Sequence, residues 1–142
     1  MELFNNLALG FATASTPINI GFCLIGVLLG TLIGVLPGIG ATATIAMLLP
    51  ITFQIGDPIS SLIMLSGIYY GAQYGGSTTA ILINMPGESS SAVTAIDGYQ
   101  MARQGRAGPA LAIAALGSFF AGTVGTLPVS YTHLTLPTNR EV

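Results

Sequence analysis

Long apolar stretches, separated by short breaks rich in glycine, proline or charge, dominate the chain. The first, Pro17 to Leu36, covers 20 residues. About 20 apolar residues are what one helix needs to cross the hydrocarbon core of a bilayer. Proline is well tolerated in the first turn of a helix, so Pro17 fits its start. We therefore predict a transmembrane helix here.

A break follows this helix. Pro37-Gly38-Ile39-Gly40 combines a proline, which removes a helical hydrogen bond, with two glycines that permit irregular backbone. The next apolar run, Ala41 to Leu49, meets Pro50 too soon for a complete straight span. It predicts either a half-helix or a kinked span that continues to Ile55. Gly56-Asp57-Pro58 is a turn signal that places a charge at the water boundary.

The next stretch, Ile59 to Asn84, is again long enough to cross a membrane. Glycines and hydroxyl residues fill its second half, so we expect it to break near Gly75-Gly76, shielded by protein. Met85 to Gly108 is a polar connection, in which Asp97 is expected to cap a short helix that Gly105 ends.

Another apolar span begins at Pro109 and runs to Thr126. The character then changes, because residues 127–142 contain two prolines, the only histidine and no membrane-like period. This pattern is typical of a frameshift or a joined fragment. We therefore divide the chain into a transmembrane region, residues 1–126, and an atypical tail, residues 127–142, which we expect to be either non-native or frameshifted.

Composition supports a membrane protein. Only 6% of the residues are charged and the mean hydropathy is +0.78, whereas soluble domains have about 25% charged residues. The predicted fold class is an all-α integral membrane protein, a polytopic helical bundle with broken or re-entrant helices. The chain lacks lysine and its net charge is −2, so we predict no nucleic-acid partner.

Glycine recurs every fourth residue in two series, at positions 26, 30, 34 and 38 and at positions 67, 71 and 75. Four residues make about 1.1 turns, so each series forms a groove that another helix can approach closely. Two interpretations stay open. The glycines either make a helix contact alone or, where they coincide with helix breaks, also line a ligand site.

Broken helices in membranes can bind ions, because the free N–H groups at a half-helix N-terminus attract an anion. The segments Gly38 to Thr42 and Gly75 to Thr79 combine flexible backbone with hydroxyls, and residues 84–91 add a third cluster expected at an interface. The predicted substrate- and ion-binding residues are Gly38, Gly40, Thr42, Gly75, Gly76, Ser77, Thr78, Thr79 and Asn84.

A soluble dinucleotide-binding enzyme is a rival interpretation. Residues 38–43 fit the pattern G-x-G-x-x-A, and Asp57 lies 19 residues after Gly38. That motif should follow a short strand, whereas here it follows 20 apolar residues and a proline, so we reject it. A Walker A loop needs lysine, H-E-x-x-H needs two histidines, and G-x-S-x-G is missing. The sequence therefore predicts no enzyme, cofactor or metal site.

Residues 30–40 and 70–87 resemble the two signature regions of the large membrane subunit of tripartite tricarboxylate transporters, and residues 97–109 resemble the loop that follows them in that family. The resemblance runs from about Glu2 to Thr126. The positions that it marks as structural are Gly34, Pro37, Tyr70, Gly71, Pro86 and Gly87.

The resemblance implies a multi-pass permease of the bacterial inner membrane that imports citrate-like di- or tricarboxylates by secondary transport. It also implies a small membrane subunit and a periplasmic solute-binding protein as partners, and a Na+ or H+ gradient as the driving force. This chain would hold part of the first of two repeats. The alternative is a small helical membrane assembly or channel subunit without a substrate site of its own.

Overall fold

The computed structural model describes residues 2–135. It contains six α-helices in that range: α1 (Glu2–Ala14), α2 (Pro17–Gly34), α3 (Gly40–Phe53), α4 (Pro58–Ile83), α5 (Ser91–Arg103) and α6 (Ala107–Thr135). No strand occurs among these residues. The all-α prediction is confirmed. Met1 lies outside the described residues, and so do residues 136–142, which belong to the predicted tail.

Local chemistry explains where several helices begin and end. Pro17 and Pro58 occupy first helical turns, where the missing N–H is not needed. The Asp57 carboxylate caps α4 by accepting the Ser60 N–H at 2.9 Å. At its other end α4 stops at Asn84, whose φ of 57° is left-handed.

The connection from α5 to α6 confirms one expectation and corrects another. Gly105 has a φ of +77° and its N–H donates to the Ala102 carbonyl, while the Arg106 N–H donates to that of Met101. This pair of bonds is a Schellman motif, so Gly105 ends the helix as predicted. The prediction that Asp97 caps this helix was wrong, because α5 begins six residues earlier, at Ser91.

Helix α3 has 14 residues, about 21 Å of helix at 1.5 Å per residue. It is too short to cross a bilayer core of about 30 Å, as expected of a half-helix. Pro50 lies inside it, and the helix continues to Phe53. Helix α1 was not predicted from the sequence.

The expected break near Gly75-Gly76 was wrong. Helix α4 is continuous over 26 residues and passes through both glycines. Both are buried against neighbouring backbone, and close packing offsets the conformational entropy that glycine loses in a helix. The only break of the predicted kind among the described residues therefore lies between α2 and α3.

Helices α2, α3 and α4 form the centre of the bundle. Leu48 of α3 packs with Met64 and Ile68 of α4, and partly buried side chains of α2 such as Phe22 and Leu29 cover them. Helix α5 packs on α4, and α6 lies at the edge against α5 and α4.

The outer surface is apolar where the helices are long. In the described part of the chain, α2 and residues 107–129 of α6 are long and apolar enough to cross a membrane. On α2 the side chains of Leu24, Leu28 and Leu32 are 59% to 70% exposed, opposite buried glycines. A soluble protein would bury such a face. The protein is an all-α membrane protein, as predicted.

Candidate functional site

The two glycine series face each other between α2 and α4. A Cβ added at Gly67 would lie 2.6 Å from the Cys23 carbonyl oxygen, and one at Gly75 would lie 2.7 Å from that of Thr31. Gly71 and Gly34 make equally close backbone contacts, to Val27 and Ala72. No side chain fits between these helices, so the contact is backbone against backbone, as proposed for small-residue interfaces in membranes.

At the end of this contact, residues 35–39 break the helix. Gly38 has a φ of +87° and Gly40 a φ of +68°, values that only glycine adopts at little cost. Pro37 and Gly38 are exposed, Gly40 is partly buried, and Thr42 on the first turn of α3 is exposed. The break turns the chain so that the N-terminus of α3 lies beside the end of the glycine contact.

The hydroxyls of the second motif bond within their own helix. Ser77 donates to the Gln73 carbonyl at 3.1 Å, Thr78 to that of Gly75 at 2.6 Å, and Thr79 to that of Gly76 at 3.0 Å. Serine and threonine often satisfy their hydroxyl proton in this way inside helices. Each oxygen keeps acceptor capacity, but its proton is engaged in this conformation.

The segment after α4 folds back to the end of the glycine contact between α2 and α4. Asn84 is exposed and forms the left-handed end of α4, and the Met85 N–H donates to the Thr79 carbonyl at 3.4 Å. Pro86 is exposed, and Gly87 is buried. A Cβ at Gly87 would lie 2.7 Å from the Gly76 Cα and 3.3 Å from the Gly34 oxygen.

Three motif segments therefore meet at one point: the break at 35–40, the glycines at 75–76 and the turn at 87–88. The structure brings together Gly34, Gly40, Gly75, Gly76 and Gly87 of the predicted set. For Thr42 and Asn84 it shows exposed positions at the ends of α3 and α4. Whether any of these residues contacts a substrate or an ion stays a prediction.

Glu88 is the residue that sequence reasoning missed. Its carboxylate accepts the Ala41 N–H at the first turn of α3, and its Cγ lies 3.5 Å from where a Cβ of Gly40 would be. The sequence predicted an anion at this half-helix N-terminus, and the chain itself supplies one. A usable signal was present, because Glu88 is the only acidic residue between Asp57 and Asp97 and directly follows Gly87.

Tyr70 points to a different part of the molecule. It faces α6, where a Cβ added at Gly122 would lie 3.5 Å from its ring. An open groove of about 420 Å³ lies between α4 and α6, lined by Tyr70, Tyr74, Ser118 and Thr123 among others. This groove does not include the residues around the helix break.

A second polar cluster lies near the start of α4. Buried Ser60 places its hydroxyl 2.7 Å from the amide oxygen of buried Asn19, and the Asn19 amide donates to the Thr13 carbonyl at 2.8 Å. The hydrogen bonds from the Ser60 hydroxyl and N–H hold the pKa of Asp57 below its ordinary value. Across the described residues, no three His, Cys, Asp or Glu side chains cluster closely enough to hold a metal ion.

Comparison with known proteins connects these segments to a family. The sequence pattern that defines the tripartite tricarboxylate transporter TctA family matches residues 20–138. An uncharacterised 52.8 kDa protein from the TAR-I ttuC′ 3′ region of Agrobacterium vitis is 80% identical over 127 residues, which are 89% of this chain. The chain spans about a quarter of that relative, since the match covers 25% of its length. No solved structure matches.

Proposed function

Because the chain belongs to the tripartite tricarboxylate transporter TctA family, we propose that it is the N-terminal part of a permease that imports citrate-like di- or tricarboxylates. In this proposal the permease lies in the bacterial inner membrane and crosses it several times. A periplasmic solute-binding protein delivers the substrate, a small membrane subunit completes the complex, and a Na+ or H+ gradient drives uptake. Its role is transport rather than catalysis.

The observation that carries the site assignment is the meeting of the 35–40, 75–76 and 87–88 segments at the start of α3. A helix N-terminus carries partial positive charge. The helices around it, α2, α3 and α4, contain no Lys, Arg or His. Glu88 already accepts the Ala41 N–H there, so an anionic substrate in this region would be held by the other backbone N–H groups and by hydroxyls, as at the broken helices of other secondary transporters.

We propose that Gly38 to Thr42 and Gly75 to Thr79 form part of the substrate and ion site, with Asn84 at its edge. In the structure the three hydroxyls of the second segment donate to their own helix. Substrate binding would redirect the protons of these hydroxyls toward the substrate. Alternatively, the free lone pairs of the hydroxyl oxygens would bind a coupling cation.

Uptake by the full-length transporter, reconstituted with its small subunit and binding protein, tests this proposal. We expect Ser77→Ala and Gly76→Val to abolish uptake while membrane insertion stays intact. Ser77→Ala removes only a hydroxyl that bonds within its own helix, so its loss of uptake would reflect the site. Gly76→Val forces a side chain toward the Gly87 Cα, 3.4 Å from the added Cβ.

Ser66→Ala is the matched control. The Ser66 hydroxyl also donates to its own helix, at 2.9 Å to the Leu62 carbonyl, and is exposed away from the motif. We expect it to transport normally. Normal uptake by both motif variants would refute the site assignment.

A second function, a membrane assembly subunit without a substrate site of its own, draws support from the unbroken α4. There the glycines at 67, 71 and 75 serve as helix contacts. Under this alternative Ser77→Ala would leave uptake by the complex unchanged, and Gly71→Ala would weaken the contact between α2 and α4.

A further inference from the structure

The side chain of Glu88 joins two parts of the chain that are 47 residues apart. Its carboxylate accepts the Ala41 N–H. The first N–H groups of a helix have no partner within the helix. Ala41 lies in the first turn of α3, so Glu88 supplies the partner that this N–H lacks. The negative charge also suits the positive end of the α3 dipole.

The backbone around Glu88 is held on both sides. Before it, Gly87 is packed against Gly76 and the Gly34 carbonyl. After it, buried Ser91 accepts the Glu88 N–H at 3.1 Å, and the Glu88 carbonyl accepts the Ser91 N–H at 3.1 Å. The carboxylate therefore projects from a fixed point on the α4 side toward the break on the α2 side.

No opposite charge competes for this carboxylate from the helices packed here. Helices α2, α3 and α4 contain no Asp, Glu, Lys, Arg or His, and the charged side chains of α5, Asp97 and Arg103, are exposed on its surface. The α3 N-terminus is thus the electrostatic partner of Glu88.

We propose that Glu88 is a positioning residue that locks the helix break at 35–39 to the turn after α4, so that the two glycine motifs are held as one unit. Both the negative charge of the Glu88 carboxylate and its hydrogen bond to the Ala41 N–H contribute to this contact. Its consequence for transport rests on the proposed function, but the contact itself does not.

Hydrogen exchange in the full-length protein tests the contact directly. Because the protection of the Ala41 amide comes from Glu88, Glu88→Ala should speed exchange in a peptide covering residues 39–43 by about fivefold or more, the usual effect of losing a helix cap. Glu88→Gln keeps an acceptor but loses the charge, so we expect a smaller increase. The peptides covering residues 24–34 and 64–75 should not change, because backbone packing holds them.

Asp97→Ala is the matched control, since it removes one negative charge from an exposed position on α5. It should leave exchange at 39–43 unchanged. Unchanged exchange in Glu88→Ala, or an equal increase in Asp97→Ala, would overturn the proposal. If Glu88→Ala fails to insert, Glu88→Gln carries the test, because it preserves the size of the side chain.

Uptake kinetics then separate positioning from other roles. We expect Glu88→Ala to raise the KM for the carboxylate several-fold and Glu88→Gln to restore part of it. A lowered KM would mean that Glu88 competes with the substrate carboxylate, and an unchanged KM would mean a structural role only; either result overturns the positioning role. If the unaltered transporter takes up no carboxylate, the proposed function fails, while the exchange result still decides the contact.

Discussion

A methyl group added at Gly30 should force α2 and α4 apart. The new Cβ would lie 2.8 Å from the Ile68 Cα and 2.9 Å from the Ile68 carbonyl carbon. These are backbone atoms, so no rotamer change can relieve the clash. Overpacking of this kind costs about 1–3 kcal/mol. We therefore expect Gly30→Ala to destabilise the pair of helices by that amount.

Gly21→Ala provides a control on the same helix. Nothing lies within 4 Å of a Cβ at Gly21, so no clash opposes the substitution. Alanine is about 0.8–1.0 kcal/mol more favourable than glycine inside a helix. This variant should be as stable as the parent protein or slightly more stable. The two variants should therefore differ by about 2 kcal/mol in stability, which is roughly a thirtyfold difference in the equilibrium for separating α2 from α4.

Labelling of Cys23 measures this difference. Cys23 lies on α2, with its carbonyl against Gly67 and its side chain partly buried. In the full-length transporter, with any other cysteines replaced, we expect Gly30→Ala to expose this thiol to a maleimide at a lower denaturing-detergent fraction than the parent protein. Gly21→Ala should match the parent or need more detergent. Equal labelling curves for the two variants would refute the backbone contact.

Two further predictions concern single positions. The pKa of Asp57 is lowered in the folded protein, so its stabilisation of the start of α4 is complete above the ordinary pKa of 3.8 and is lost as the pH falls through the lower folded pKa. Asp57→Asn should therefore flatten the dependence of stability on pH below about 4. An unchanged pH profile would contradict this. Gly38→Ala meets no neighbouring atom but must adopt a φ of +87°, so it should cost about 1–2 kcal/mol, measurable by the same detergent titration, whereas exposed Ala43→Gly in α3 should cost about 1 kcal/mol or less.

The sequence predicted the features that depend on local chemistry. Pro37, Gly38 and Gly40 marked the break because each restricts or frees the backbone by itself, and Gly105 marked a helix end for the same reason. The four-residue glycine spacing correctly indicated a close helix contact.

Features that depend on partners distant in sequence were missed. Gly75 and Gly76 looked like a break because glycine weakens an isolated helix, but α2 and Gly87 pack against them and keep α4 whole. The Glu88 contact spans 47 residues, so the local pattern could single out Glu88 as an isolated acidic residue but could not identify Ala41 as its partner. Asp97 resembled a cap only because the start of α5 at Ser91 was not recognised.

The smooth glycine faces of α2 and α4 have a consequence for how these helices stay aligned. One repeat is four residues, about 6 Å along a helix axis. Sliding α4 by one repeat would again set most glycines of each helix against the backbone of the other, so steric fit selects the alignment only weakly. Two other contacts determine which of these nearly equivalent alignments the helices adopt. They are the packing of Met64 and Ile68 on Leu48 and the packing of the turn that carries Gly87.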